Sequence, residues 1–256
     1  MRASHLPTQL PDPAPTSFEI SVLPNAKALA EAGAREFARA AGDALSDRGV
    51  FRVALAGGST PRALYRRLTQ APYRRAIRWD RIRFFWGDER CVPPEHGRSN
   101  YRMARETLLQ PLRIPASQVF RMKGEQQPLQ AARSYGEVLR REFRGRPVKL
   151  DLVLLGLGGD GHTASLFPGT AALAEERRLA AANFVPKLSE WRLTLTYRAI
   201  NATRRIVFLV SGAEKAAVSA KILKKQRGWQ DLPASHIASR RGTLLWLVDE
   251  AAASKL

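Results

Sequence analysis

The sequence predicts an α/β fold: one domain, residues 18–256, with helices on both faces of a mostly parallel sheet. Three observations carry this. Strand-like segments alternate with helix-like segments nearly throughout. The runs at 152–155 and 206–210 are apolar at every position, as in strands buried on both faces. Glycine clusters follow two of the strands, at 57–58 and 156–161, where an open α/β sheet places its ligand-binding turns.

Residues 18–23 alternate like a strand. Asn25 can cap a long helix to around Leu45, and Gly49 ends it. A second strand spans 51–56. Thr60 reads as an N-cap with Pro61 at the first helical position, for a helix to around Thr69. An apolar strand at 82–86 ends in Gly87-Asp88-Glu89-Arg90. A loop with Pro93, Pro94 and Gly97 follows, and Ser99 starts a helix through Leu109. A short strand at 118–122 and a helix at 129–143 precede the strand at 152–155. Beyond Pro168 the pattern turns β-like at 180–185 and 192–196, a small β addition within the same domain. The strand at 206–210 leads into a helix over 213–223; a strand at 244–248 and a short alanine-rich helix close the chain.

Lys and Arg number 42 against 23 Asp and Glu, a formal net charge of +19. That balance suits nucleic acid, an anionic surface or an acidic small substrate. The basic residues are dispersed, however, over 62–83, 140–146 and 221–227, several at helical spacing. No zinc-finger spacing, RNP-like aromatic motif or basic zipper accompanies them, so specific nucleic-acid binding is not expected. No apolar run approaches the length of a membrane span, so no membrane role is expected either. Residues 1–17 carry Pro, Ser and Thr and no apolar segment of a secretory signal; they read as a flexible extension. The lone cysteine, Cys91, leaves no internal disulfide and fits a cytoplasmic location.

The chemistry-bearing residues gather at strand ends. Gly57, Gly58, Ser59 and Thr60 lie between a strand and a helix start, where free backbone N–H groups and the helix dipole favour a phosphate. The Ser59 and Thr60 hydroxyls add donors, although such a turn also serves simply to join a strand to a helix. No Gly-Lys-Ser/Thr follows, so this is not a Walker loop. Residues 156–161 match G-x-G-x-x-G, but no long helix opens before Pro168 and no acidic residue ends a following strand. A nicotinamide cofactor is therefore not expected.

Among the histidines, only His162 lies on a turn after a buried strand, two residues from a carboxylate, Asp160. An imidazole beside a carboxylate is a natural general base, because the carboxylate can fix its tautomer and stabilise its charged form. The alternative is a pair that merely holds the turn. Arg90, in Asp88-Glu89-Arg90, stands at the end of another strand on the same edge. It would clamp a phosphate, stabilise an oxyanion, or pair with its neighbouring carboxylates. Lys215 occupies the first turn of a helix, unfavourable for a cation unless it serves an anion; a solvated lysine is the other reading. Cys91 has no companion that would make it a nucleophile, and no G-x-S-x-G elbow is present.

Together the blocks LAGGSTPRALY, WDRIRFFWGDERCVPPEHGRSNYRMA, DLVLLGLGGDGHTASLFPGT, RLTLTYRAIN, FLVSGAEKA, LPASHI and LLWLVDEAA resemble the glucosamine-6-phosphate isomerase/6-phosphogluconolactonase family. They run in the family's order from Leu55 to the C-terminus. GDERCVPP with SNY, and GDGHTASLFP, are the segments most specific to the lactonases; GGSTP is shared with relatives. The resemblance implies a Rossmann-like three-layer sandwich of the sugar-phosphate isomerase type. It also implies hydrolysis of 6-phospho-D-glucono-1,5-lactone to 6-phosphogluconate, the second step of the oxidative pentose phosphate pathway, with no metal or organic cofactor. Carried over by motif, His162 is the base and Asp160 its active-site neighbour. Gly57, Gly58, Ser59 and Thr60 form the phosphate loop, Arg90 and Lys215 contact phosphate or substrate, and Arg192 lines the same pocket.

The expected partner is a small sugar-phosphate lactone and the expected assembly a monomer or weak dimer. The extension at 1–17 and the strong basic charge have no counterpart in the motifs. The related glucosamine-6-phosphate deaminases look similar at the glycine loop, at Asp-Gly-His and at the lysine. Their pattern places an acidic residue five positions after the histidine, where this chain has Phe167. A sugar-phosphate-sensing domain of a transcriptional regulator is a third reading, but no DNA-binding helix pair precedes Phe18.

Overall fold

A computed structural model describes residues 18–239 and 242–256; the expected extension at 1–17 lies outside them. In chain order the elements are β1 (Glu19–Leu23), α1 (Ala26–Arg48), β2 (Phe51–Leu55), α2 (Ser59–Leu68), α3 (Tyr73–Ala76), β3 (Ile82–Trp86) and β4 (Asp88–Arg90). Then come α4 (Asn100–Ala104), α5 (Pro128–Glu142), β5 (Leu152–Leu155), β6 (Ala180–Val185), β7 (Glu190–Leu195) and α6 (Tyr197–Asn201). The chain closes with β8 (Arg205–Val210), α7 (Ala216–Leu223), β9 (Thr243–Asp249) and α8 (Glu250–Ala253).

Six strands form a parallel sheet in the order β1-β9-β8-β5-β2-β3. Every β5 residue is buried, and so is β8 from Ile206 to Val210, as their unbroken apolar runs require. Fully burying one such Leu, Val or Phe side chain contributes roughly 1.5–3 kcal/mol. Parallel neighbours cannot be joined by a hairpin, so helices make the crossovers. α1 and α2 pack against each other and against the sheet. α1 buries Ala34, Phe37, Ala40, Ala41 and Ala44; the alanines let it lie close to the strands. Its ends follow the local signals: Asn25 Oδ1 accepts the Ala28 N–H at 3.0 Å, and Gly49 closes the helix in the left-handed region at φ 67°.

A second, antiparallel sheet has the order β4-β7-β6. Asp88–Arg90 therefore does not end β3, as the sequence suggested, but begins a new strand. Gly87 is the shared joint: its N–H donates to Leu55 O of the large sheet, and its carbonyl accepts from Leu195 N of the small one. α5 packs on β6 and β7, and its Tyr135 hydroxyl ties it to both backbone groups of Trp86 in β3. One buried apolar cluster spans both sheets.

Four other local expectations are corrected. Residues 118–122 form no strand; a 3-10 turn at Ala116–Gln118 is followed by a single bridge from Val119 to Phe84. Gln118 Nε2 instead donates to the carbonyls of Trp79 and Ile82, which anchors a crossing segment. α2 starts at Ser59, not after Thr60, because Gly58 is the N-cap and takes φ 103°, which a threonine would resist. Ser99 does cap α4, but the helix continues as a π-turn over Arg105–Leu109, and the segment before α7 opens as a 3-10 turn, Ala213–Lys215.

From β2 the chain steps outward to β3, whereas from β5 it proceeds the other way through β8 to β9. The direction switches between β2 and β5. Outside the carboxyl ends of strands at such a point, open α/β sheets bind their ligands. No helix among the described residues is long and apolar enough to cross a membrane.

Candidate active site

The turn after β5 is tied to itself. Gly158 N donates to His162 O at 2.8 Å, Gly161 N to Gly158 O at 2.9 Å, and Thr163 Oγ1 to Gly156 O at 2.8 Å. A Cβ on Gly158 would stand 2.0 Å from His162 Nδ1, so the imidazole lies where only a glycine leaves room. Asp160 Oδ1 is 2.5 Å from His162 Nδ1 and also accepts the His162 backbone N–H at 3.2 Å. A carboxylate on Nδ1 assigns the proton to that nitrogen and leaves Nε2 as the basic atom. The Phe167 ring stacks on the imidazole, centroids 4.0 Å apart. Burial pushes the His162 pKa down to about 4; Asp88 opposes that shift, while Lys215, Arg192 and Arg90 add to it. His162 is thus neutral at pH 7, with three cations within electrostatic reach of it.

The small sheet supplies two of those cations. Arg90 of β4 stands directly opposite Arg192 of β7. Like charges opposite each other across strands are destabilising, and an anion between them would offset the cost. Arg192 is buried; its Nη2 pairs with Glu190 Oε2 at 2.8 Å, while its Nε is buried with no hydrogen-bond partner. Burial first, then Arg90, lowers the pKa of its guanidinium. Asp88 is held by Ser165 Oγ at 2.7 Å and by Asn100 Nδ2 at 3.1 Å. Glu89 accepts from the backbone of Arg90, Asn100 and Tyr101 and from Ser99 Oγ, so both of its oxygens are committed to holding the start of α4.

The large sheet supplies the turns. After β2, the first turn of α2 has no side-chain cap and no acidic residue, so the N–H groups of Ser59 and Thr60 stand available at the positive end of the helix dipole. The Asn100 side chain packs directly on Gly57 and donates to Asp88, which links this loop to the Asp88–Ser165 network beside His162. After β8, Asp249 holds Ser211 Oγ and the Gly212 N–H, and this fixes the turn that carries Lys215.

The fold brings Asp160 and His162 into contact, opposes Arg90 to Arg192, and places Lys215 within electrostatic reach of the imidazole. Gly57, Gly58, Ser59 and Thr60 follow β2, which pairs with β5. Sequence reasoning missed three groups. Lys187 Nζ forms an ion pair with Asp160 Oδ2 from the 3-10 turn Pro186–Leu188 between β6 and β7. Asp88 was visible beside Arg90, but nothing in its spacing tells that it faces His162. Phe167 stood out only as a missing acid, not as a ring on the imidazole. Burial pushes the Cys91 thiol up to about 11, consistent with no nucleophilic role. A cavity of about 490 Å³ lined by Cys91, Arg98, Glu190 and Trp191 adjoins the small sheet but includes none of the residues nominated above. Among the described residues no group of three or more His, Cys, Asp or Glu is arranged to hold a metal.

The family model described as glucosamine-6-phosphate isomerases/6-phosphogluconolactonase matches residues 24–246. The chain is 39% identical over 240 residues to a rice protein (Oryza sativa subsp. indica) named probable 6-phosphogluconolactonase 3, chloroplastic, which covers 89% of this chain and 73% of the relative. It is 39% identical over 250 residues to 6-phosphogluconolactonase of Rattus norvegicus, with 95% of each chain covered. The solved structure of 6-phosphogluconolactonase from Trypanosoma brucei matches with a TM-score of 0.84 at 32% identity, over 94% of this chain and 100% of that one. On sequence and fold together, the chain belongs to the glucosamine-6-phosphate isomerase/6-phosphogluconolactonase family.

Proposed function

We propose that this protein hydrolyses 6-phospho-D-glucono-1,5-lactone to 6-phosphogluconate, with His162 as the base that activates water. The observation that carries this reading is the neutral imidazole, held through Nδ1 by Asp160, with the cations Lys215, Arg192 and Arg90 within electrostatic reach. The relatives named above as lactonases support the same substrate.

Water attacks the lactone carbonyl carbon while His162 Nε2 takes its proton. The carbonyl oxygen becomes an oxyanion, which Arg90 offsets. The bond to the ring oxygen then breaks, and His162 returns the proton to that oxygen. The acid formed ionises and releases one proton to solvent. Lys215, Arg192 and the N–H groups of Ser59 and Thr60 grip the phosphate and position the ring without entering the chemistry. No covalent intermediate is needed. The deaminase reading is weaker, since the family pattern places there an acid where Phe167 stacks on His162.

The test is proton release from freshly generated lactone, compared with spontaneous hydrolysis. Acceleration in the presence of EDTA supports the proposal. No acceleration, or turnover of glucosamine 6-phosphate alone, overturns it.

A further inference from the structure

We propose that Lys187 is a positioning residue: it clamps Asp160 against His162 and so sets the orientation and basicity of the imidazole. This rests on the reading of His162 as the general base. The local backbone holds only one oxygen of Asp160: Oδ1 accepts the His162 N–H, and Oδ2 accepts from no backbone group. Its oxygens divide the work. Oδ1 meets His162 Nδ1 and the His162 N–H, and Oδ2 meets the Lys187 ammonium. Lys187 Nζ also lies 4.9 Å from the centroid of Phe167, the ring on which His162 stacks. Lysine, aspartate, histidine and phenylalanine thus form a closed set in which each side chain restricts the next.

The turn that delivers Lys187 is itself fixed. Ser189 takes the left-handed region at φ 49° and its N–H donates to Pro186 O, while Phe184 and Trp191 pair across β6 and β7 with centroids 5.5 Å apart. The lysine therefore reaches Asp160 from a braced hairpin and not from a free loop.

The charged groups facing His162 are Asp160 on its own turn, Lys187 from the β6–β7 turn, Asp88 and Arg90 from β4, Arg192 from β7, and Lys215 after β8. An unpaired Asp160 would favour the imidazolium and raise the histidine pKa. Lys187 offsets that carboxylate. It leaves Asp160 its role as hydrogen-bond acceptor and removes most of its pull on the proton. Burial and the three remaining cations then keep Nε2 free to accept a proton from water.

The experiment uses the full chain as wild type, Lys187→Met and Lys187→Arg. The Lys187 side chain is half exposed, and its removal leaves the buried Oδ2 of Asp160 without its ion-pair partner. Two readouts are taken. The His162 imidazole is titrated by NMR in the free protein, with His162→Gln assigning the signal, and kcat and KM on the lactone are followed against pH. In Lys187→Met the His162 pKa rises by about one unit, kcat falls on the order of tenfold because a loosened Asp160 no longer orients the imidazole, and KM stays within about twofold. Lys187→Arg restores all three. An unmoved titration with unmoved kcat overturns the proposal. So does a raised KM at unchanged kcat, which would make Lys187 a substrate contact. Should the wild type fail to hydrolyse the lactone, the titration alone still decides whether Lys187 controls His162.

Discussion

The six-stranded parallel sheet and the three-stranded antiparallel sheet build opposite kinds of surface. Ends of parallel strands run into turns and helix starts, so the large sheet offers backbone N–H groups at Ser59 and Thr60 and a base on a glycine turn at His162. Antiparallel strands set side chains directly opposite each other, so the small sheet concentrates charge: Arg90 against Arg192, with Glu190 beside them. The difference teaches where each function has to come from. A phosphate loop needs unpaired backbone, which a strand interior cannot spare. A cluster of like charges needs a rigid frame to hold it, which a loop cannot supply. Lys215 is the exception, a cation delivered by the large sheet from a 3-10 turn.

The comparison breaks first at His162. If the large sheet provides the chemistry, His162→Ala lowers kcat by on the order of 10²–10⁴-fold with little change in KM. Steady-state kinetics, after circular dichroism shows a folded variant, checks this. A folded His162→Ala with near wild-type kcat moves the base elsewhere. Glu89 is then a poor substitute, because its oxygens already hold the backbone of Asn100 and Tyr101. Asp160 would be the next candidate.

The large sheet's share of the site was readable because it is local. Gly57 to Thr60, Asp160 with His162, and Lys215 each sit within a few residues of a strand whose apolar run is visible. The small sheet's share is set by register. Arg192 was reachable only through the family resemblance, since nothing in RLTLT by itself tells that it faces Arg90. Lys187 carried no signal at all; it depends on the length of one hairpin turn. Segment 118–122 failed for a related reason. Its strand-like residues are real, but Gln118 spends its side chain on two carbonyls before a ladder can form. The Gly58 cap was missed because Thr60-Pro61 is itself a strong helix start, and a glycine taking positive φ two residues earlier overrode it.

Both sheets contribute to the phosphate grip, and this sharpens the comparison. Lys215→Ala from the large sheet and Arg192→Met from the small one should each raise KM. Removing one charged contact costs about 1.5–3 kcal/mol, or roughly 10–150-fold. On glucono-1,5-lactone, which lacks the phosphate, Lys215→Ala should hardly change the rate. Equal losses on both lactones would put Lys215 at the reacting centre. A KM that responds to Lys215 alone would remove the small sheet from the grip.

The pH dependence is the next smaller effect. With His162 at about 4, below the ordinary 6.5 or so of histidine, the acid limb of kcat/KM falls through about pH 4 and not through the usual imidazole range. The unfolded chain takes up that proton first as pH drops. The stability from keeping the imidazole neutral is therefore present above about pH 6.5 and is lost as pH falls towards 4. Denaturant titrations of wild type and His162→Gln should differ in slope within that window and run parallel above it. Equal slopes would mean that burial does not depress His162.

The smallest effect separates stability from the site. Asn25→Ala removes the cap of α1 and costs about 0.5–2 kcal/mol. Ser165→Ala removes a buried hydrogen bond to Asp88 and costs about 1–3 kcal/mol. Both should lower Tm by a few degrees, at roughly 2–4 °C per kcal/mol for a chain of this size. Their kinetics should differ. The cap lies outside the site network, so Asn25→Ala leaves kcat and KM unchanged. Ser165 steadies the carboxylate whose charge opposes the depression of the His162 pKa. Without it Asp88 keeps only Asn100 as a side-chain partner, and kcat falls by less than about tenfold. Thermal melts and kinetics on the same two variants decide the matter. If both lose stability and neither loses rate, Asp88 belongs to the frame of the small sheet and not to the base.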